Sequence, residues 1–68
     1  MFEISYKAAR VNAELRQADV AAALSVDRGT VIRWENGLSK VGKEKERRLR
    51  ELYRLPDDVA FRSSKKQD

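Results

Sequence analysis

The chain has 68 residues, with 15 Lys and Arg against 11 Asp and Glu, no histidine or cysteine, and a formal charge of +4. That length makes one small domain near the lower limit for a self-sufficient core. Without cysteine there are no disulfides or thiolate metal sites, and without histidine as well the usual acid–base and nucleophilic agents of an enzyme are missing.

The opening MFEISYKAAR lacks the basic-then-apolar order of a signal peptide. Its spacing predicts a first helix over roughly Ser5–Ala13, burying Tyr6, Ala9 and Ala13, with Phe2 or Ile4 tucked beneath. Leu15 packs in the link to a second helix that opens at Gln17. There Val20, Ala21 and Leu24 recur at helical spacing, and the small Ala21 lets another helix cross closely. Ser25-Val26-Asp27 breaks the run. Val26 reads as an apolar plug in the turn, and Asp27 as an N-cap whose carboxylate accepts backbone N–H bonds. A third helix over 28–35 has Val31 and Trp34 on its apolar face, and Glu35-Asn36-Gly37 closes it, with Gly37 left-handed. The fourth helix, Glu44–Leu55, buries Leu49, Leu52 and Tyr53, and its arginines pair with Glu44, Glu46 and Glu51 at helical spacing. Pro56, Asp57 and Asp58 then start a short fifth helix, about Asp57–Phe61, with Val59 and Phe61 inward or at a dimer interface. Residues 62–68 are polar and without periodicity and read as a disordered tail, which leaves 1–61 as the domain.

Two helices joined by a tight turn can lay the second into a DNA groove. In the third helix Arg28, Gly29, Ile32 and Arg33 fall opposite Val31 and Trp34, at about 100° per residue. Arginine can bond a guanine edge through two hydrogen bonds, isoleucine can touch a thymine methyl, and glycine lets the backbone approach closely. A solvated arginine face with one misplaced isoleucine is the plain alternative. Charge placement adds to the first reading. Residues 40–54 hold seven basic residues and three Glu, while the rest of the chain holds eight of each sign. The whole excess therefore lies directly after the third helix, although Arg47, Arg48 and Arg50 read more readily as a solvated face. The close carboxylates Asp57-Asp58 explain themselves as a helix start, and Gly29, Gly37 and Gly42 fit no phosphate loop. No enzyme, cofactor or metal is expected.

Arg10, Gln17, Val20-Ala21, Leu24, Val26, Thr30-Val31, Trp34 and the Glu35-Asn36-Gly37 ending together resemble the helix-turn-helix of the phage repressor and Cro type, the XRE family. The resemblance is strong over residues 6–37 and loose over 38–61. It implies an all-α, compact five-helix, lambda-repressor-like DNA-binding domain with its helix-turn-helix at helices 2 and 3. It implies base reading by Arg28, Gly29 and Arg33, to which the helix geometry adds Ile32. Phosphate contacts are implied at Gln17, Thr30 and Asn36, and at Lys40 and Lys43 in the following loop. Arg10 and Glu35 resemble the family's internal ion pair. Two positions depart from the pattern. Ser25 stands where glycine is usual, a left-handed conformation there costing on the order of 1 kcal/mol. Arg16 stands where a capping residue is usual; it either touches a phosphate or is a solvated side chain.

The function so implied is a sequence-specific regulator of transcription that binds a palindromic double-stranded operator as a homodimer, with half-sites roughly 34 Å apart. A chain this short resembles a phage or prophage Cro-type repressor. A host-encoded regulator, such as an antitoxin or a restriction-modification controller, is the neighbouring alternative. A cytoplasmic, nucleoid-associated location follows, with no membrane and no small-molecule ligand. A different class is a protein-interaction module on the same fold, docking through Ile32, Trp34 or Phe61, which an exposed Trp34 would favour. RNA binding is disfavoured by the lack of surface aromatics at stacking positions.

Overall fold

The computed structural model describes residues 2–62, in the order β1 (Phe2–Ile4), α1 (Tyr6–Asn12), α2 (Gln17–Leu24), α3 (Arg28–Glu35), α4 (Lys43–Tyr53) and β2 (Val59–Phe61). Ser5 starts α1, its Oγ accepting the Ala8 N–H at 3.0 Å. Arg16 offers α2 no side-chain cap; instead Asp19, in the first turn, reaches back so that its Oδ2 accepts the Arg16 N–H at 2.9 Å. Asp27 occupies the N-cap of α3 in an extended conformation, but its carboxylate makes no capping hydrogen bond, contrary to expectation. Its backbone carbonyl instead accepts the Thr30 N–H at 3.0 Å.

All four helices end alike. Glu14, Ser25, Gly37 and Arg54 each follow a helix in the left-handed region, with φ of 61°, 58°, 73° and 58°. The residue after each one donates its N–H five residues back: Leu15 to Arg10, Val26 to Ala21, Leu38 to Arg33 and Leu55 to Arg50, at 2.9–3.2 Å. This is the Schellman ending, and it satisfies carbonyls that the helix itself leaves open. Three of the four left-handed residues are not glycine, so each carries a backbone strain of about 1 kcal/mol. Ser25→Gly is therefore expected to raise the unfolding free energy by up to about 1 kcal/mol in urea melts. A loss of stability would show that the Ser25 hydroxyl contributes more than the strain removes.

The core is built by Ala9 of α1, Val20, Ala21 and Leu24 of α2, Val31 and Trp34 of α3, and Leu49 and Tyr53 of α4. Leu15, Val26 and Leu55, each directly after a left-handed helix ending, pack against it.

The fifth helix expected over Asp57–Phe61 does not form. Asp57 and Asp58 make a turn, closed by the Val59 N–H on the Pro56 carbonyl at 3.1 Å, and Val59–Phe61 is a strand. It pairs parallel with β1, Phe2 opposite Val59 and Ile4 opposite Phe61, flanked by Phe2 N–H to Asp58 O at 3.0 Å and Arg62 N–H to Ile4 O at 2.8 Å. The aspartates favour a turn as much as a helix start, and the Val-Ala-Phe triplet is too short to show a period. The pairing places Phe61 in a stack on Tyr6, ring centroids 4.2 Å apart, and edge-on to Tyr53 at 6.2 Å. The fold is thus four helices closed by a two-stranded sheet, and α4 stops at Tyr53 rather than Leu55. The tail expected from residue 62 lies, apart from Arg62, outside the described residues.

Burial pushes the Tyr53 hydroxyl up to about 12, with the nearby Glu35 carboxylate adding to the shift and Arg10 opposing it. Tyr6 moves in the same direction, chiefly through burial. In the unfolded chain a tyrosine loses its proton near pH 10, while folded Tyr53 keeps it. The folded state then holds more protons, so stability falls as pH rises from about 10 to 12. Tyr53→Phe is expected to flatten that alkaline decline in melts across the range. An unchanged decline would place its cause elsewhere.

Candidate nucleic-acid interface

α2 and α3 meet through Val20, Ala21, Leu24, Val31 and Trp34, which fixes the rotation of α3 about its axis. Trp34 keeps 6% of its surface exposed. With Val31 and Trp34 turned inward, Gly29 and Arg33 are exposed on the far side of α3, Arg28 is exposed at its flank and Ile32 is half-buried. A Cβ built on Gly29 would meet no heavy atom within 4 Å. Nothing inside the molecule requires glycine there.

An ion pair anchors this face from behind. Arg10 of α1 donates from Nε to Glu35 Oε2 at 2.6 Å and from Nη2 to Oε1 at 3.2 Å, while its Nη1 bonds the Leu15 carbonyl at 3.0 Å. The two side chains are 11% and 5% exposed, so the pair is largely desolvated. Gln17, expected at a phosphate, directs its Nε2 inward to Glu35 Oε1 at 3.2 Å and is half-buried. Three helices therefore converge on one carboxylate, and Gln17 helps hold α3 in place.

The remaining candidate contacts lie on α3, in the loop after it and at the starts of α2 and α4. Thr30 is half-buried in the first turn of α3, and Asn36, at its C-cap, is exposed. Lys40 is exposed in the following loop, Lys43 is exposed as the first residue of α4, and Arg16 is exposed at the N-cap of α2. Leu38 lies just past the α3 ending and is 70% exposed, unlike its counterparts Leu15, Val26 and Leu55.

The pairing of α4 arginines with its glutamates is not found. Among the described residues the one salt bridge is Arg10–Glu35. Instead Lys45 Nζ donates to the Leu24 carbonyl at 3.4 Å and Arg48 Nη2 to the Ala23 carbonyl at 3.3 Å, which brings positive charge to the negative C-terminal end of α2. Arg50 bonds the carbonyls of Val59 at 2.6 Å and Pro56 at 2.9 Å, tying α4 to β2. A sequence signal for the first two exists: α2 has no basic residue in its last turn, so its open carbonyls need donors from elsewhere.

A buried α2–α3 pair, a tight left-handed turn at Ser25 and an exposed arginine face define a helix-turn-helix module. Residues 7–61 match the helix-turn-helix domain family, and the chain belongs to that family. A helix-turn-helix domain is a DNA-binding module, which makes DNA the partner class. No curated protein and no solved structure matches the chain. Among the described residues no helix is long and apolar enough to cross a membrane, and no group of three His, Cys, Asp or Glu residues could hold a metal ion.

Proposed function

We propose that the protein is a sequence-specific regulator of transcription in which α3 enters the major groove, Arg28 and Arg33 reading base edges, Ile32 touching a thymine methyl and Gly29 admitting the backbone. The observation that carries this is the exposed Arg28–Gly29–Arg33 face on a helix whose other side is locked by Trp34 and Glu35. Thr30 and Asn36 within and at the end of α3, and Lys40 and Lys43 just after it in the chain, supply phosphate contacts, with Arg16 at the start of α2. Gln17 contributes mainly through Glu35 and secondarily at phosphate. One such helix reads only a few base pairs, so two copies on a palindromic operator, half-sites roughly 34 Å apart, give adequate selectivity. Covering a promoter then represses it. A phage or prophage Cro-type repressor is the reading that the resemblance of residues 6–37 supports, with a host antitoxin or restriction-modification controller beside it.

The protein-interaction alternative loses two of its three anchors. Trp34 is buried and Phe61 packs on Tyr6 and Tyr53.

A salt titration tests the proposal. Binding that neutralises several phosphates weakens steeply between about 50 and 200 mM salt, and Lys43→Ala should weaken all duplexes alike and lower the slope by about 1 for each bound copy. Binding indifferent to salt would contradict it. Gly29→Ala supplies an independent check. Helix propensity and the open space around Gly29 predict unchanged or slightly raised stability, by less than about 1 kcal/mol, together with weaker operator binding. Undiminished binding would remove Gly29 from the interface.

A further inference from the structure

Lys43, Arg47 and Arg50 of α4 and Arg54 at its C-cap recur at intervals of four, three and four residues and so follow one side of the helix over roughly 16 Å. Their neighbours on the same helix have internal partners: Lys45 and Arg48 hold the end of α2, and Arg50 itself holds the Pro56 and Val59 carbonyls. Arg47 and Arg54 hold nothing among the described residues. Arg47 has Glu44 and Glu51 within helical reach and forms a salt bridge with neither. Both are exposed, and with Arg50 they border a recess of about 310 Å³ whose wall includes Leu55 and the turn at Asp57. The stripe therefore carries two unengaged guanidinium groups, Arg47 and Arg54, on either side of Arg50, which is held within the fold, and its near end, Lys43, is a phosphate contact in the function proposed above.

We propose that this side of α4 is a second phosphate track, which takes the DNA backbone flanking the operator beyond the base pairs that α3 reads. One DNA strand carries a phosphate every 3.4 Å or so along its axis, so about 16 Å of helix faces roughly four or five of them. Guanidinium groups suit this task because each can fork onto two phosphate oxygens. The proposal rests on the DNA-binding reading and adds to it a reach outside the recognised site that carries no base preference of its own.

The test is the double variant Arg47→Gln/Arg54→Gln, which removes no hydrogen bond of the fold and should keep the wild-type helical circular dichroism. Affinity is measured by fluorescence anisotropy against salt, on a duplex trimmed to the recognised base pairs and on one extended by about one helical turn at each end. On the extended duplex the slope of log K against log salt should fall by about 1.8 for each bound copy, hence about 3.6 for the pair on the operator, with base preference unchanged, and on the trimmed duplex the variant should match wild type. Arg48→Gln, which loses its bond to Ala23, should lower the melting temperature and leave the slope alone. Wild-type behaviour of the double variant on the extended duplex overturns the proposal. So does an equal loss on both duplexes, which would place these arginines over the recognised site. Polyglutamate that binds wild type and not the variant, while the DNA slope is unchanged, would assign the face to an acidic protein partner instead. If wild type shows no salt-dependent binding to either duplex, the DNA reading itself falls.

Discussion

Arg10→Ala is expected to lower the unfolding free energy by about 3 kcal/mol or more, because it leaves the Glu35 carboxylate buried with its main partner gone. Glu35 accepts from Arg10 and Gln17, and Gln17 alone cannot replace a guanidinium that forks onto both oxygens. Arg10 also holds the Leu15 carbonyl at the α1–α2 link, so a second, partly buried acceptor is released. Small domains have only about 5–15 kcal/mol in total, so this loss should be plain in urea or thermal melts. Glu35→Gln keeps the shape and one acceptor and should be milder. Arg10→Met with Glu35→Leu removes both charges together and should recover much of the loss, since an apolar pair of similar volume escapes the desolvation penalty. A loss below about 1 kcal/mol for Arg10→Ala would mean that solvent reaches the pair more freely than its burial indicates.

The same pair links stability to recognition. Glu35 is the last residue of α3, so its tether sets how α3 presents Arg28 and Arg33. DNA affinity of Arg10→Ala should therefore fall even at temperatures where the variant stays folded.

How much of this was legible in the sequence depends on the range of the interaction. The four helices were, because Val20-Ala21-Leu24, Val31-Trp34 and Leu49-Leu52-Tyr53 carry the helical period and Gly37 marks an end. The non-glycine endings at Glu14 and Arg54 were not, since those residue types seldom adopt a left-handed conformation. The strand at Val59–Phe61 was missed for a different reason. Its partner lies at the other end of the chain, and no local pattern distinguishes three residues of strand from one turn of helix. Similar logic covers α4. Glutamates at helical spacing suggested local ion pairs, but open carbonyls at Ala23 and Leu24, distant in sequence, are the partners that Arg48 and Lys45 take. For the interface, the wheel around Val31 and Trp34 located the exposed face, whereas the inward turn of Gln17 depended on where Glu35 arrives in space.

The second large effect concerns specificity. Arg28→Ala and Arg33→Ala should each weaken binding to the preferred site by about 1–3 kcal/mol and leave non-specific duplexes far less affected, so that base preference relaxes at the position each one reads. Both side chains are exposed and make no hydrogen bond among the described residues, so folding stability should stay within about 0.5 kcal/mol of wild type. That separation distinguishes them from Arg10, whose loss acts on the fold first. Equal weakening on every duplex would make them phosphate contacts.

Selection of bound sites from random duplexes, run in parallel on the wild-type protein and on Arg28→Ala, tests the central claim most directly. The wild-type protein should enrich a two-fold symmetric motif with half-sites about one helical turn apart, and Arg28→Ala should lose preference at one base pair per half-site while keeping the rest. No enriched motif from wild type, or the same motif from both proteins, would contradict base reading by this face of α3.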